Sequence, residues 1–441
     1  MLTGPTARKG VVAVVDQGLL SATNFFTGFM LARLCTKEEF GAYVLAFSVM
    51  LAVNGLQAAL ITGPMTVLGA GKEGNDWKGY ATTLAVAQLV FGVGMTAIAF
   101  GVSILLKVTG VIGGTLTGAL LAMSGALFFV QGQEFCRRVL FTRLKTWRVL
   151  LNDVVYCTLQ IGGIAALWRV GGGTWGVGAS EATAGYLDGR NVFYLMAAST
   201  CVGTLVGLWQ VAGDVSQRAR MMSGHLRESW AYGKWGLAST GVSMAYVQGM
   251  YLVLGAIGGV EAVAQFEGPR LLIAPCVLLL TAWGNIAMPV AAKRAKQQGL
   301  RFGLMFLLKM SLSLMFLIAA YICILLFTPS RVLGLVLGVK YSGATAILLV
   351  WCLVAITMCV ATCISVTFYL IGHPELGFTS RLVAVCIGIP LLFILVSIQG
   401  ALGGVLARLI VETVQLAAIA YLAILWVRRT LGKRCIVQPL L

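Results

Sequence analysis

Residues 261–290 read EAVAQFEGPRLLIAPCVLLLTAWGNIAMPV, a run long and apolar enough to cross a bilayer, yet interrupted by Arg270 and Pro275. An arginine at that depth costs at least about 2.5–3.5 kcal/mol on insertion scales, so it must face protein or a water-filled cavity rather than acyl chains. Pro275 removes a backbone hydrogen bond and predicts a bend at a similar depth. A bent crossing that presents a cation inside the membrane suits an anion site in a transporter. The composition gives it the right setting.

Of 441 residues, 59% are hydrophobic and 11% charged, and the mean hydropathy is +0.92. With one helical span per ~20 apolar residues, such a chain is a polytopic membrane protein with little room for anything else. The patterning predicts helices over 11–33, 40–64, 80–106, 109–134, 149–169, 191–212, 232–258, 261–290, 303–328, 343–371, 379–398 and 401–427. The net charge of +17 could suggest nucleic acid, but its placement argues against that. Cations gather in alternate connections: Arg8 and Lys9, Lys72 and Lys78, the run from Arg137 to Arg148, Arg218 to Lys234, Lys293 to Arg301, Arg381, and Arg428 to Arg434. By the positive-inside rule that side is the cytoplasm, and it holds both termini. The surplus charge is then a topology signal and an attraction for anionic membrane lipid, and no nucleic-acid partner is expected.

Two helices carry polar stripes. At 100° per residue, Asp16, Gln17, Ser21, Asn24, Thr27 and Gly28 share one arc of the first helix, with Thr23 at its edge. In lipid such a stripe faces either other helices or a cavity. Tyr232, Gly236, Ser239, Ser243, Tyr246 and Met250 repeat the idea on the seventh helix. Gly18-Leu-Leu-Ser21 resembles Gly236-Leu-Ala-Ser239, Lys37-Glu38-Glu39-Phe40-Gly41 answers Gly259-Val260-Glu261-Ala262, and Pro64 answers Pro289. A repeat offset by roughly 220 residues implies two six-helix lobes, 1–215 and 216–441, related by a pseudo-two-fold along the membrane normal.

Other charges have two readings each. Arg408, Glu412 and Gln415 form one stripe on the last helix, either an intrahelical ion pair or a gate with a proton-responsive carboxylate. Lys309 either faces the path or snorkels to the cytoplasm. The connection from Glu134 to Arg148 is basic and amphipathic, either positive-inside charge or a dedicated contact for lipid headgroups or a phosphorylated substrate. Asp153 follows where it can pair with those arginines. His225 and His373 fall in cytoplasmic turns and read as surface residues.

No chemistry-bearing motif appears. Gly69-Ala-Gly71-Lys72-Glu73 fails the phosphate-loop pattern, because Thr66 replaces its first glycine and Glu73 its Ser or Thr. The eleven cysteines include no CxxC pair; Cys359 and Cys363, at i and i+4, read as packing residues rather than a metal pair. No catalytic residue, metal ligand or cofactor is predicted. The Gly-rich external loop 170–190 is too short for a glycan polymerase or ligase site.

Three runs carry a resemblance: residues 16–65 (DQGLLSATNFFTGFMLARLCTKEEFGAYVLAFSVMLAVNGLQAALITGPM), 133–156 (QEFCRRVLFTRLKTWRVLLNDVVY) and 262–293 (AVAQFEGPRLLIAPCVLLLTAWGNIAMPVAAK). They resemble bacterial polysaccharide-repeat-unit flippases, the Wzx-like branch of the multidrug/oligosaccharidyl-lipid/polysaccharide (MOP) exporter superfamily. The resemblance implies two lobes around a hydrophilic cavity that opens alternately to each face of the inner membrane. It also implies cationic residues that meet an undecaprenyl-diphosphate-linked oligosaccharide, with polysaccharide polymerase machinery as a further partner. Arg270 is the cavity residue carried over from the family pattern, and Arg33 sits in the A-R-L-x-x-x-E-E-F-G turn.

On this reading Arg270, Lys309 and Arg408 offset diphosphate charge. Gln17, Asn24, Ser243 and Tyr246 contact sugars, while Asp16 or Glu412 couples protons. The alternative is a cation-coupled multidrug or small-solute antiporter of the same superfamily, with Asp16 as its acidic contact. Replacing Arg270 by Ala is expected to abolish export of lipid-linked glycan from a normally inserted protein, measured as surface glycan in cells at matched expression.

Overall fold

A computed structural model places residues 5–171, 186–215, 223–371 and 373–436. The loop 172–185, the arginines at 218 and 220 and the Ser239 and Ser243 side chains lie outside the described residues. Every regular element is a helix: α1 (Pro5–Leu34), α2 (Lys37–Gln57), α3 (Gly63–Leu68), α4 (Gly74–Thr109), α5 (Gly114–Thr142), α6 (Thr146–Val170), α7 (Gly189–Val211), α8 (Ser223–Gly258), α9 (Val260–Gln298), α10 (Leu300–Phe327), α11 (Pro329–Leu337), α12 (Thr345–Ile371) and α13 (Pro374–Ile436). Among the described residues, nine helical stretches are long and apolar enough to cross a membrane. The chain is a multi-pass, all-α membrane protein. Each predicted helix is present, with α2 and α3 sharing one and α13 supplying two, although among the described residues α1 and α8 are not in the nine. Only α11, nine residues opened by Pro329, was not foreseen.

Local chemistry sets the boundaries. Thr36 and Glu39 form a reciprocal capping box at the start of α2: Glu39 N–H donates to Thr36 Oγ1 at 3.1 Å, and Thr36 N–H donates to Glu39 Oε2 at 2.9 Å. Two residues on, a Cβ at Gly41 would stand 2.0 Å from the Val260 carbonyl oxygen, so only glycine lets the backbones approach there. These two constraints account for the E-E-F-G signature. Where α2 meets Pro64, the helix widens into a π-turn over Ala58–Thr62, closed by Gly63 N–H on the Ala58 carbonyl.

The chain divides into two compact units, Met1–Ala264 and Gln265–Leu441. In the first, α5 packs against α2, α4, α6 and α7, while α1 lies along α6. Helix α8, the first helix of the 216–441 half, packs within this unit against α2 and the π-turn. Its start is fastened by Lys72–Glu228 (3.2 Å), Asp76–His225 (3.3 Å) and Tyr80–Ser229 (3.0 Å). His225 is therefore not a surface residue. It is buried and edge-on to Tyr80, because the turn that holds it folds back onto α4.

In the second unit, α9 runs through Pro269 and Pro275, which deprive nearby carbonyls of their helical donors. The two so deprived are those of Gln265 and Leu271, and neighbouring helices bond the carbonyl next to each. Trp351 Nε1–H of α12 donates to the Phe266 carbonyl at 3.1 Å, and Tyr321 O–H of α10 donates to that of Leu272 at 2.8 Å. Each acceptor lies three residues before a proline. Helix α13 departs from helical geometry at Gly400 (φ 54°, ψ −125°) and folds back on itself. A Cβ at Gly403 would stand 1.9 Å from the Leu395 carbonyl oxygen. Gly41→Ala is expected to lower the apparent thermal midpoint in detergent well beyond Thr36→Ala, which loses only a cap of about 1 kcal/mol.

Candidate functional site: a polar cavity around Arg137

Helix α5 continues to Thr142, so the stretch read as a basic connection is largely helical. Gln133, Glu134, Arg137 and Arg138 then recur at i, i+1, i+4 and i+5 and share one face. The Arg137 guanidinium reaches three carboxylates on three helices. Nε donates to Asp153 of α6 at 2.7 Å, one terminal nitrogen to Asp16 of α1 at 3.1 Å, and the other to Glu134 at 2.5 Å. Asp153 and Asp16 side chains are 0% and 1% exposed, and that of Arg137 is 11% exposed. Arg138, 44% exposed, pairs with the other oxygen of Glu134 at 2.5 Å. Three carboxylates thus share two guanidiniums. The second oxygen of Asp16 is buried with no hydrogen-bond partner among the described residues.

An amide network holds the cluster from behind. Gln133 Nε2 donates to Asn152 Oδ1 (3.1 Å) and Asp153 Oδ1 (3.3 Å), and Asn152 Nδ2 donates to the Gly203 carbonyl of α7 (2.7 Å). The close approach depends on small residues of α7. A Cβ at Gly203 would stand 2.9 Å from Gln133 Cδ, and one at Gly207 would stand 2.6 Å from Cys136 Cβ.

In front of the cluster lies a cavity of about 400 Å³ within the first unit. Gln17 and Asn24 of α1, Asn54 of α2, and Gln133, Arg137 and Arg138 of α5 give it a polar wall; Phe47, Met50 and Met244 give it an apolar one. The α1 stripe therefore divides. Asp16, Thr23 and Thr27 are buried, while Gln17 and Asn24 face the cavity. Both readings of that stripe hold, each for different residues.

The other predicted residues lie apart from this cavity. Tyr246 is buried in the first unit, where only glycine-sized gaps separate α8 from α2, and is not in the cavity lining. In the second unit, Arg270 forks onto Glu267 one turn away, with both contacts at 2.5 Å. Arg408 pairs with Glu412 at 2.6 Å, as its spacing predicts, and Arg381 reaches Glu412 at 3.2 Å and also contacts Gln415. Arg381 was read as a loop cation; the fold-back of α13 carries it inside the hairpin. Lys309 stands on an exposed face of α10 and makes no ion pair among the described residues. No three His, Cys, Asp or Glu side chains among the described residues are grouped to hold a metal.

Sequence reasoning put Arg137, Arg138 and Glu134 second as a phosphate or headgroup contact and named none of them as a site residue, because a basic run beside a predicted span reads first as topology signal. Their i, i+3 and i+4 spacing was the available sign that the helix continues.

No protein-family model and no curated protein matches the chain. Solved structures do. A multidrug resistance MATE family transporter of the MOP superfamily, in its inward-facing conformation, superposes with a TM-score of 0.67 at 15% identity, over 95% of this chain and 96% of that one. The lipid II flippase MurJ, in an inward closed conformation, gives 0.62 at 11% identity, over 94% and 87%. A MOP superfamily transporter from Pyrococcus furiosus gives 0.61 at 16% identity, over 94% and 93%; it is described by the reverse polarity of its binding pocket. The chain has the fold of this superfamily.

Removing Arg137 strands carboxylates that removing one carboxylate does not. Arg137→Ala is expected to cost about 3–5 kcal/mol, well above Asp16→Asn, as read from thermal midpoints of the solubilised protein.

Proposed function

We propose that this protein is an alternating-access flippase of the bacterial inner membrane. It moves undecaprenyl-diphosphate-linked oligosaccharide repeat units from the cytoplasmic to the outer leaflet for surface polysaccharide assembly. In this reading both termini are cytoplasmic, the 1–215 and 216–441 halves act as its two lobes, and polymerase machinery takes up the product. The observation that carries it is the cavity lining, where amides and a paired guanidinium face share one wall. Gln17, Asn24, Asn54 and Gln133 offer both donors and acceptors, which suits sugar hydroxyls. Arg138, half-exposed and tied only to a carboxylate it shares with Arg137, suits a diphosphate.

The lipid tail stays in hydrocarbon while the polar head crosses through the cavity, which avoids the cost of unsolvated sugars and phosphates. An inside-negative potential favours outward movement of an anion by ~2.3 kcal/mol per charge per 100 mV. Ser243 and Tyr246 on α8, and Arg270, Lys309 and Arg408 in the second unit, are further contacts along the path. Arg408 would act as a half-neutralised group, since it shares Glu412 with Arg381, whereas Arg270 is paired with Glu267. Asp16 is the proton-coupling group: of three carboxylates around two guanidiniums, it is the one with an unmet oxygen. Glu412, already facing two arginines, is the weaker choice.

The same carboxylate surplus supports a second reading, a cation-coupled antiporter of small cationic solutes. Proteoliposomes separate the two. With an undecaprenyl-diphosphate-linked oligosaccharide, flipping is expected, read by lectin access to the far leaflet. Arg138→Gln should slow it on the order of tenfold, about 1.4 kcal/mol. Asp16→Asn should remove the response to an imposed pH gradient. Transport of a cationic dye with no movement of the glycolipid would replace this reading with the second.

A further inference from the structure

A second cavity of the first unit, about 390 Å³, is walled by α2, α4, α5 and α8 and is almost wholly apolar. It follows α4 from Met95 to Leu106, near the α4–α5 turn. Eleven helical rises make roughly 16 Å, about half of a ~30 Å hydrocarbon core. The slot is therefore one leaflet deep. Ile98, Val102 and Leu252 along it are 59%, 50% and 48% exposed, so it opens sideways toward the membrane. Its one lining hydroxyl is already satisfied, Ser103 on the Ala99 carbonyl at 2.7 Å. It offers nothing to a polar ligand. Left empty, its walls would forfeit dispersion contacts that the surrounding medium can supply.

We infer that this slot is a binding site for one acyl chain of an anionic phospholipid from the leaflet that meets the α4–α5 turn. The one-leaflet depth selects an acyl chain over a much longer polyprenyl tail. Charge at the mouth selects the headgroup. Lys107, exposed just beyond Leu106, is the cation there, and Glu38 near Gly113 is the acid at the same rim. The site lies behind the polar cavity, on the other face of α2. Leu45, Val49 and Val53 line the slot, while Phe47, Met50 and Asn54 line the cavity. Helix α8 closes the seam, with Leu45 Cδ2 2.7 Å from where a Cβ on Gly255 would stand. A seated chain thus braces α4 and α8 against the helix that forms one cavity wall.

The test uses the full chain in nanodiscs of phosphatidylglycerol and phosphatidylcholine. Benzoylphenylalanine replaces Leu252 in the slot or, as a control, Ile324 on α10. After exchange into lipid-free detergent and irradiation, phospholipid adducts are counted by mass spectrometry. The expected result is at least about a fivefold excess of adduct at position 252 over 324. Ala99→Phe or Ala256→Phe, each filling the slot, should bring position 252 down to the control while the thermal midpoint holds. Lys107→Gln should remove the preference for phosphatidylglycerol. Equal adduct at the two positions overturns the inference. So does capture at 252 of a polyprenyl lipid added in competition, or of a second protein copy.

Discussion

A buried guanidinium cannot stand alone, and much of the first unit is arranged around satisfying one. Arg137 draws Asp16 from α1, Asp153 from α6 and Glu134 from its own helix. Desolvating four charges is costly, and the return depends on near-ideal hydrogen bonds and on further donors at the remaining oxygens. Gln133 supplies such a donor to Asp153 and is itself held by Asn152. The glycines of α7 exist at the positions where these amides need room. The polar cavity is what remains on the other side, where the ring of helices does not close over Arg138.

The same economy of space governs α2. It is capped by Thr36 and Glu39, lies against Val260 at Gly41, and widens into a π-turn before Pro64. Between those points it turns one face to the polar cavity and the opposite face to an apolar slot. Small residues along it allow α8 to approach, and polar pairs with α4 and the turn before it fix where α8 begins. Packing, rather than chain order, therefore assigns α8 to the first unit.

The crossings were legible because their apolar runs are long and their connections short. The Asp153 pairing was legible because an acid follows the basic run just inside the next apolar stretch. The middle of the site was not. Arg137 and Arg381 sit beside apolar runs, and a cation there looks the same in sequence whether it faces water or folds inward. Only the register of α5 against α6, and the reversal of α13 at Gly400, separate the two cases. His225 escaped for a similar reason, since its burial comes from a contact with α4 more than a hundred residues earlier. The α1 stripe was seen correctly but not divided, because a helical wheel gives an arc without saying where the neighbouring helix ends.

Just ahead of Pro269 and Pro275, the α9 carbonyls of Phe266 and Leu272 accept hydrogen bonds from outside the helix, one from an indole of α12 and one from a phenol of α10. A proline usually gives a transmembrane helix a free joint. Here each joint is stitched to a different partner, so flexing α9 at either point would tear a bond to a neighbouring helix. Any swing of this segment must carry α10 and α12 along as a single rigid lever, unless those two stitches open first.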